Sequence, residues 1–255
     1  MPENIKLIVC DVDGTLLQKN EKELSTAAVA AINELESCGI VFVAASGRSI
    51  PSLEKIFEKV KRKAFIGCDG AVIKGTCGRI LYEKAIPSES LNRILPKLKC
   101  EFVLYTQDVA YVRGDALYEN VCAAENGKVK SFDEFSTDVP VLKIALYGGG
   151  DEYGARYIEA NNLGRRCYSD ANWCEYVAPC VNKGEALKFI QSSFNFKYEE
   201  TVALGDNHND IEMLKNAYFS YAVSGSQPEI KTLARFYTES AAEQIKKIAK
   251  KCERR

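Results

Sequence analysis

Short runs of apolar residues alternate with helix-like segments in the first and last thirds of the chain. Two of these runs, "IKLIVC" (5–10) and "IVFVAAS" (40–46), are apolar along almost their whole length. Strands of this kind are buried on both faces, which is typical of a parallel sheet covered by helices on each side. The sequence therefore predicts an α/β fold built on a parallel sheet.

The pattern changes in the middle of the chain. The stretches "CEFVLYTQDVAYVRG" (100–114) and "RRCYSDANWCEYVAP" (165–179) are predicted hairpins with half-polar strands, and the second turns at Asp170–Asn172. Strands with one wet face are typical of an antiparallel sheet. The α/β pattern resumes at Asn182. We therefore predict a core formed by residues 1–83 and 181–255, with an α+β segment inserted at residues 84–180.

The composition of the chain limits the kinds of molecule that it is expected to bind. The chain has 255 residues, a formal net charge of −1 and no basic block, so we expect no binding to nucleic acid. No apolar run is long enough to span a membrane, and "MPENIK" does not begin a signal peptide. The ten cysteines show no C-x-x-C spacing, which predicts reduced thiols and a cytoplasmic location.

Four polar clusters follow predicted strands or the return from the inserted segment. They are Asp11–Thr15, Ser46–Arg48, Asn182–Gly184 and "GDNHND" (205–210). Ligands of parallel α/β sheets collect at the carboxyl ends of the strands. We therefore expect all four clusters to converge on one rim of the sheet.

The first cluster suggests a metal site. Asp11 and Asp13 are two residues apart, so in extended backbone they point to the same side, and Gly14 allows a sharp turn after them. An Asp-Gly hairpin turn is the alternative, but a loop into a helix follows instead of a second strand. Two carboxylates with a substrate phosphate suit Mg²⁺, and Asp206 can supply a third carboxylate.

The other clusters leave alternatives open. Ser46 can cap the helix that begins near Ser49, or it can hold a phosphate together with backbone N–H groups. Asn209 and Asp210 suit the N-terminus of a helix as well as a site. A lone lysine such as Lys183 is usually solvated, but here it supplies the positive charge that a phosphate and three carboxylates require.

The residues together resemble a known family. "DVDGTLL", "SGR", "NKGEAL" and "GDNHNDIEML", in this order, resemble the four motifs of the haloacid dehalogenase (HAD) superfamily of phosphatases. The place and α+β character of the inserted segment resemble the C2B cap of the Cof-type branch, subfamily IIB. "IGCDGAVIKG" is similar to the "NGA" stretch of that branch, with Asp69 where Asn is common. The resemblance implies a Rossmann-like HAD core with a parallel sheet and an inserted α+β cap domain.

The resemblance also implies catalytic roles. Asp11 would be the nucleophile that forms an aspartyl-phosphate. Asp13 would protonate the leaving group and then activate water. Mg²⁺ would be held by Asp11, Asp206 and the backbone carbonyl of Asp13.

Further roles concern the phosphate. Ser46 and Gly47, in the second motif, would bind the transferring phosphoryl group, and Lys183 would neutralise it and orient the nucleophile. Asn209 would contact the phosphate or order the metal shell. Asp210 would steady Lys183 or a water on the metal.

The cap would decide the substrate. Arg48 serves either its helix or the substrate, and Glu175 is a candidate for substrate specificity. Other candidates near the return strand of the cap are Asn172, Trp173 and Tyr176, although we expect Trp173 to pack in the cap sheet. His208 is the one histidine of the chain, and we expect it on the surface of a helix turn.

The function so implied is a Mg²⁺-dependent phosphoric monoester hydrolase acting on small phosphorylated metabolites, sugar phosphates above all. Two alternatives stay open. A phosphomutase-like phosphotransferase would return the phosphoryl group to a sugar, and a non-catalytic sugar-phosphate-binding protein would keep only the binding site. Because every expected catalytic residue is present, the non-catalytic alternative is disfavoured, and phosphoryl return to a bisphosphate activator would mark the mutase.

Overall fold

The computed structural model describes residues 4–18, 21–61, 63–125, 127–148, 152–169 and 171–253. Asp170, in the predicted turn of the second hairpin, lies outside the described residues. The described strands form two sheets, one of eight strands and one of six. No helix in these residues has both the length and the apolar character needed to cross a lipid bilayer.

The larger sheet forms the core. Its strands are β1 (Leu7–Asp11), β2 (Val41–Ala45), β3 (Ala64–Gly67), β4 (Val72–Lys74), β5 (Ile80–Glu83), β12 (Thr201–Gly205), β13 (Phe219–Val223) and β14 (Phe236–Thr238). Their order is β14-β13-β12-β1-β2-β3-β4-β5. The predicted parallel sheet is confirmed from β14 through β3. At one edge β4 runs antiparallel to β3, because a tight turn at residues 68–70 reverses the chain, and β5 in turn runs antiparallel to β4.

Helices cover both faces of this sheet. Those of the core are α1 (Thr26–Glu34), α2 (Ile50–Ile56), α6 (Lys183–Phe194), α7 (Ile211–Lys215), α8 (Pro228–Leu233) and α9 (Ala241–Glu253). The two-residue period of β1 sends Ile8 and Cys10 into the apolar cluster that holds α1, α2 and α9. Leu7 and Val9 face the opposite cluster, under α6, α7 and α8. A strand apolar along its whole length is thus explained by burial on both faces.

The smaller sheet belongs to the inserted segment. Its strands are β6 (Phe102–Tyr105), β7 (Val109–Arg113), β8 (Lys128–Ser131), β9 (Lys143–Tyr147), β10 (Arg165–Ser169) and β11 (Trp173–Val177), and its helices are α3 (Ser88–Ile94), α4 (Asp115–Ala124) and α5 (Glu152–Ala160). The strand order is β10-β11-β9-β6-β7-β8. Both predicted hairpins, β6–β7 and β10–β11, are present.

One strand of this sheet had no signal in the sequence. The edge strand β8 pairs parallel with β7, and its residues "KVKS" are half-buried or exposed. The core sheet draws on residues 7–83 and 201–238, and the cap sheet on residues 102–177. The domain limits 1–83, 84–180 and 181–255 stay a prediction.

Candidate active site

The predicted clusters meet where the carboxyl ends of β1, β2 and β12 face the smaller sheet. A cavity of about 470 Å³ lies between the two sheets. Its core lining is formed by Asp11, Asp13, Ser46, Gly47, Arg48, Asp69, Asn207 and Asn209. Its cap lining is formed by Tyr105, Ala124, Glu125, Lys143, Tyr168, Trp173 and Glu175. Most of the residues predicted from the sequence are therefore brought to one place.

Lys183 lies beneath this cavity and is completely buried. It is the first residue of α6, and the side chain of Asn182 caps that helix by accepting the N–H of Glu185. Its Nζ donates to Asp11 Oδ1 at 2.6 Å and to Asp210 Oδ1 at 2.7 Å. Burial alone would lower the pKa of the ammonium, but the two carboxylates raise it above its usual range. Lys183 is therefore a fixed positive charge and not a solvated lysine.

Asp210 uses both of its oxygens within the protein. Its second oxygen, Oδ2, accepts the backbone N–H groups of Asp206 (3.0 Å) and Asn207 (3.1 Å). Asp210 is completely buried, so these bonds fix the loop after β12 and hold Lys183 at the same time. Two roles were predicted for Asp210, and these contacts favour the one in which it supports Lys183.

Oxygen atoms of Asp11, Asp206 and Asp210 lie within 4.8 Å of one another. Asp11 Oδ2 is buried and has no hydrogen-bond partner among the described residues. Burial raises the pKa of Asp11, the neighbouring Asp210 and Asp206 raise it further, and Lys183 opposes them. An orphaned carboxylate oxygen beside a second acid fits a hard divalent cation such as Mg²⁺. Because Asp210 is already satisfied, Asp11 and Asp206 are the carboxylates that would hold it.

Asp206 is held by a residue that its own motif does not contain. Thr15, at the end of the first cluster, donates its hydroxyl to Asp206 Oδ1 at 2.8 Å. Burial raises the pKa of Asp206, and this hydroxyl works against the rise. Gly14 packs against the same carboxylate so closely that a Cβ there would lie 2.5 Å from Oδ2. The glycine is required by this approach as well as by its positive φ of 91°.

Asp13 faces away from the buried carboxylates and is half-exposed. Arg48 binds it in a fork, with Nη2 2.7 Å from Oδ1 and Nε 2.9 Å from Oδ2. Ser46 donates its hydroxyl to Asp13 Oδ2 at 3.3 Å and accepts the N–H of Arg48. The two acids of the first cluster therefore sit in different environments, one buried beside Lys183 and one at the cavity wall beside Arg48.

Asp69 joins two of the clusters to each other. Its Oδ1 accepts the side-chain amide of Asn209 at 2.9 Å, and its backbone N–H donates to Ser46 O. Asp69 and Cys68 both have positive φ, 54° and 47°, which is rare for residues with a side chain and is found at functional sites. Burial tends to raise the pKa of Asp69, but Lys143 and Lys183 lower it below its usual range.

Lys143 is a site residue that the sequence analysis missed. It opens β9, is buried, and its Nζ donates to Gly47 O at 2.7 Å and to Glu175 Oε2 at 2.8 Å. The ammonium also lies 4.8 Å from the ring centroid of Tyr105. The available signal was a lysine within an otherwise apolar strand, since such a residue needs a partner. Glu175, a predicted candidate for substrate specificity, lines the cavity wall and accepts this hydrogen bond from Lys143.

Glu125 makes a second contact between cap and core. It follows α4, and its Oε2 accepts hydroxyl hydrogen bonds from Ser49 and, at 2.7 Å, from Ser52. Both serines stand at the start of α2, where Ser49 is the N-cap. The cap is therefore tied to the loop that follows β2 by two separate polar contacts.

Three other predicted residues have clear places. Trp173 lines the cavity and also packs on Tyr147 in the cap sheet, at 4.9 Å between ring centroids. Tyr176 is buried away from the cavity and donates its hydroxyl to Glu159. His208 is exposed, as expected, with Nδ1 3.1 Å from a carboxylate oxygen of Glu229.

Comparison with known sequences gives the family. A profile of the haloacid dehalogenase-like hydrolases matches residues 8–248. Phosphatase YwpJ of Bacillus subtilis is 27% identical over 274 aligned residues, which cover 90% of this chain and 93% of the relative. The HMP-PP phosphatase of Klebsiella pneumoniae is 26% identical over 242 residues, which cover 89% of this chain and 86% of the relative.

Solved structures share the fold. A haloacid dehalogenase-like hydrolase from Bacteroides thetaiotaomicron superposes with a TM-score of 0.84 at 23% identity, covering 96% of this chain and 99% of that chain. The subclass IIB sugar phosphatase BT4131 superposes with a TM-score of 0.75 at 19% identity, covering 98% of each chain. The chain therefore belongs to the haloacid dehalogenase-like hydrolases, and it is a phosphatase.

Proposed function

We propose that this phosphatase hydrolyses small phosphorylated metabolites, sugar phosphates above all, with Mg²⁺ and through an aspartyl-phosphate on Asp11. The observation that carries the proposal is the setting of Asp11. One of its oxygens is held by the buried Lys183, and the other lies near Asp206 without a hydrogen-bond partner among the described residues. A carboxylate oriented in this way can act as a nucleophile on a phosphoryl group while the surrounding charges hold that group in place.

The reaction would take two steps. Asp11 attacks phosphorus, a new P–O bond forms, and the bond to the leaving oxygen breaks. Water then attacks the aspartyl-phosphate and releases inorganic phosphate, restoring the carboxylate. When bound at Asp11 and Asp206, Mg²⁺ would supply positive charge for the phosphoryl oxygens.

Asp13 would move the protons. It would protonate the leaving oxygen in the first step and take a proton from the attacking water in the second, which is worth roughly 10²- to 10⁴-fold in rate. In the present arrangement its oxygens are engaged by Arg48 and Ser46. A bound phosphate dianion competes for that guanidinium, so we expect Arg48 to turn from Asp13 to the substrate.

The phosphoryl group would be held by residues that already line the cavity. Ser46 offers its hydroxyl, Gly47 its backbone N–H, and Asn209 its side-chain amide, while Lys183 supplies charge from below. The cap would close over the leaving group and exclude water, with Lys143 and Glu125 as its contacts to the core.

The experiment is phosphate release from a panel of sugar phosphates, nucleotides and pyridoxal phosphate, with Mg²⁺ and with EDTA. We expect release that requires the metal and that falls by at least about 10³-fold in Asp11→Asn, because the nucleophile is lost. The matched control is Asp138→Asn, which changes an exposed acid of the cap and should leave the rate unchanged. Metal-independent release, or release that persists in Asp11→Asn, contradicts the mechanism. Folded protein that releases nothing contradicts the function, and bisphosphate-dependent isomerisation would then identify the mutase.

A further inference from the structure

The cavity wall that faces the leaving group carries more acids than bases. On the cap side, Glu125 and Glu175 line the cavity, and Asp69 lines it from the core. The cations of the described lining are Lys143 and Arg48. The kind of leaving group that fits this wall depends on which of these charges already have a partner of opposite sign. This inference rests on the proposed function and deepens it.

Both cations already have carboxylate partners. The ammonium of Lys143 lies 2.8 Å from Glu175 Oε2 and also donates an N–H to the carbonyl of Gly47. The guanidinium of Arg48 is bound in a fork by Asp13. When the phosphoryl group draws Arg48 away, that cation serves the phosphate and not the leaving group. No described cation of the lining is therefore left for a second anionic group on the substrate.

Two acids of the wall have no ion pair among the described residues. Glu125 accepts only neutral hydroxyls, those of Ser49 and Ser52. Asp69 has 1% of its surface exposed, its Oδ1 is bonded to the neutral amide of Asn209, and its Oδ2 has no hydrogen-bond partner in the described structure. Lys143 and Lys183 are near enough to lower the pKa of Asp69, so it is charged. The wall thus keeps an excess of negative charge.

The aromatic residues of the wall also favour a positively charged leaving group. Tyr105, Tyr168 and Trp173 line the cap side of the cavity. The faces of such rings attract cations and do not attract anions. The position of the Lys143 ammonium, 4.8 Å from the Tyr105 centroid, is one example of this contact in the same wall.

We propose that the preferred substrates are phosphate esters whose leaving group carries a protonated amine, such as phosphorylated amino sugars, and that a leaving group with a carboxylate or a second phosphate is disfavoured. A cation several ångströms from carboxylates that have no described ion pair, in a partly dehydrated cavity, gains enough for a preference on the order of tenfold.

The test uses four six-carbon sugar phosphates whose leaving groups differ in charge. Glucosamine 6-phosphate carries the ammonium, glucose 6-phosphate a hydroxyl, N-acetylglucosamine 6-phosphate a neutral amide, and 6-phosphogluconate a carboxylate. We expect kcat/KM for phosphate release at pH 7 to be about tenfold higher for glucosamine 6-phosphate than for glucose 6-phosphate, and lowest for 6-phosphogluconate. The N-acetyl sugar should lose the advantage, because acetylation removes the charge and keeps the nitrogen.

Variants assign the preference to the wall. In Glu125→Gln and Glu175→Gln the ratio of glucosamine 6-phosphate to glucose 6-phosphate should fall about threefold or more, since each change removes one negative charge. The ratio is read within one variant, so a general loss of activity cancels. Glu134→Gln is the control, because this exposed cap acid pairs with Lys130 and does not line the cavity. Its ratio should equal that of the unchanged protein.

Two results would overturn the inference alone. One is release from p-nitrophenyl phosphate together with equal or reversed values for the amine and carboxylate sugars. The other is an amine preference that persists in both glutamine variants. Failure to release phosphate from p-nitrophenyl phosphate and from all four sugars would overturn the proposed function, and this inference with it.

Discussion

At the scale of single residues, the site depends on a buried charge cluster. Lys183 is the cation between Asp11 and Asp210, and none of the three is more than slightly exposed. Removing one member of such a cluster leaves the others buried without compensation, which costs far more than the intact cluster contributes. The same residues are therefore expected to affect both the proposed chemistry and the stability, and the two effects can be separated by measuring both.

Lys183→Met tests this cluster. We expect the free energy of unfolding to fall by about 3–5 kcal/mol, because two buried carboxylates lose their cation. The measurement is urea unfolding in EDTA, so that no metal replaces the lost charge. Adding Asp210→Asn to Lys183→Met should recover part of the loss, since one buried negative charge is then removed. An unchanged unfolding midpoint in the single variant would show that the carboxylates are not held by Lys183.

Asp69 gives a second residue-scale prediction. Asp69→Asn keeps an oxygen for the amide of Asn209 and tolerates the positive φ, so we expect less than about 1 kcal/mol of destabilisation. Asp69→Ala loses both features and should lose about 1–3 kcal/mol. Thermal unfolding of the pair checks this. Equal melting temperatures for the two variants would mean that the bond to Asn209 carries no weight.

At the scale of elements, the position of Lys183 depends on how α6 meets α7. Gly184, the second residue of α6, packs against the backbone of Glu212, and a Cβ there would lie 2.6 Å from its carbonyl atoms. Those backbone atoms belong to α7, so they cannot move away from an added Cβ as the end of a flexible side chain could. The glycine in "NKG" is therefore needed for the approach of two helices, one beginning with Lys183 and the other directly after Asp210.

Gly184→Ala should force the helices apart. We expect a loss of about 1–3 kcal/mol of stability and a fall in activity, because Lys183 moves with α6. Ser192→Ala, at an exposed position of the same helix, is the control and should change stability by no more than about 0.5 kcal/mol. If Gly184→Ala matches the control in both urea unfolding and phosphate release, the close approach of α6 and α7 is not required.

At the scale of the whole molecule, two of the described polar contacts between cap and core lie beside the site. Lys143 bonds the carbonyl of Gly47, and Glu125 bonds the two serines that begin α2. Both contacts reach the loop after β2, which is also the loop proposed to hold the phosphoryl group. We therefore expect the loop to be more ordered when the cap is closed and less ordered when the cap is open.

Lys143→Met tests this coupling. Loss of the ammonium breaks the bond to Gly47 and leaves Glu175 without its cation, so we expect a more open cap and a kcat/KM at least about tenfold lower. Small-angle X-ray scattering should show a larger radius of gyration. Lys130→Met, which removes an exposed cap lysine paired with Glu134, should change neither quantity. An unchanged scattering profile with full activity in Lys143→Met would contradict the role of this contact.

The parts that could be predicted from the sequence are those with local signals. Apolar runs that end in Asp11, Ser46 or Asp206 predict parallel strands and a shared rim, because strand direction fixes which ends meet. The helix beginning at Lys183 could be placed for a similar reason, since Asn182 is a good N-cap.

The rest could not be predicted because it depends on docking. Lys143 opens one strand of the cap and Glu125 follows a cap helix, and neither has a partner until the cap lies on the core. The chain reversal that forms the edge strands β4 and β5 was not predicted, for a different reason. The turn before them uses left-handed backbone at Cys68 and Asp69, where residue type gives little warning.

The position of β1 in the sheet has a consequence for synthesis of the chain. β1 lies between β2 and β12, so one edge of the strand that carries Asp11 is completed only by residues 201–204. A ribosome adding about 5–20 residues per second needs on the order of 10–40 s to make the intervening stretch of about 190 residues. During that time the inserted cap can fold, while the nascent β1 presents an open apolar edge to chaperones or to other chains. A nascent chain that stops before β12 would therefore hold a finished cap above an Asp11 that has no lysine bridge to the last motif.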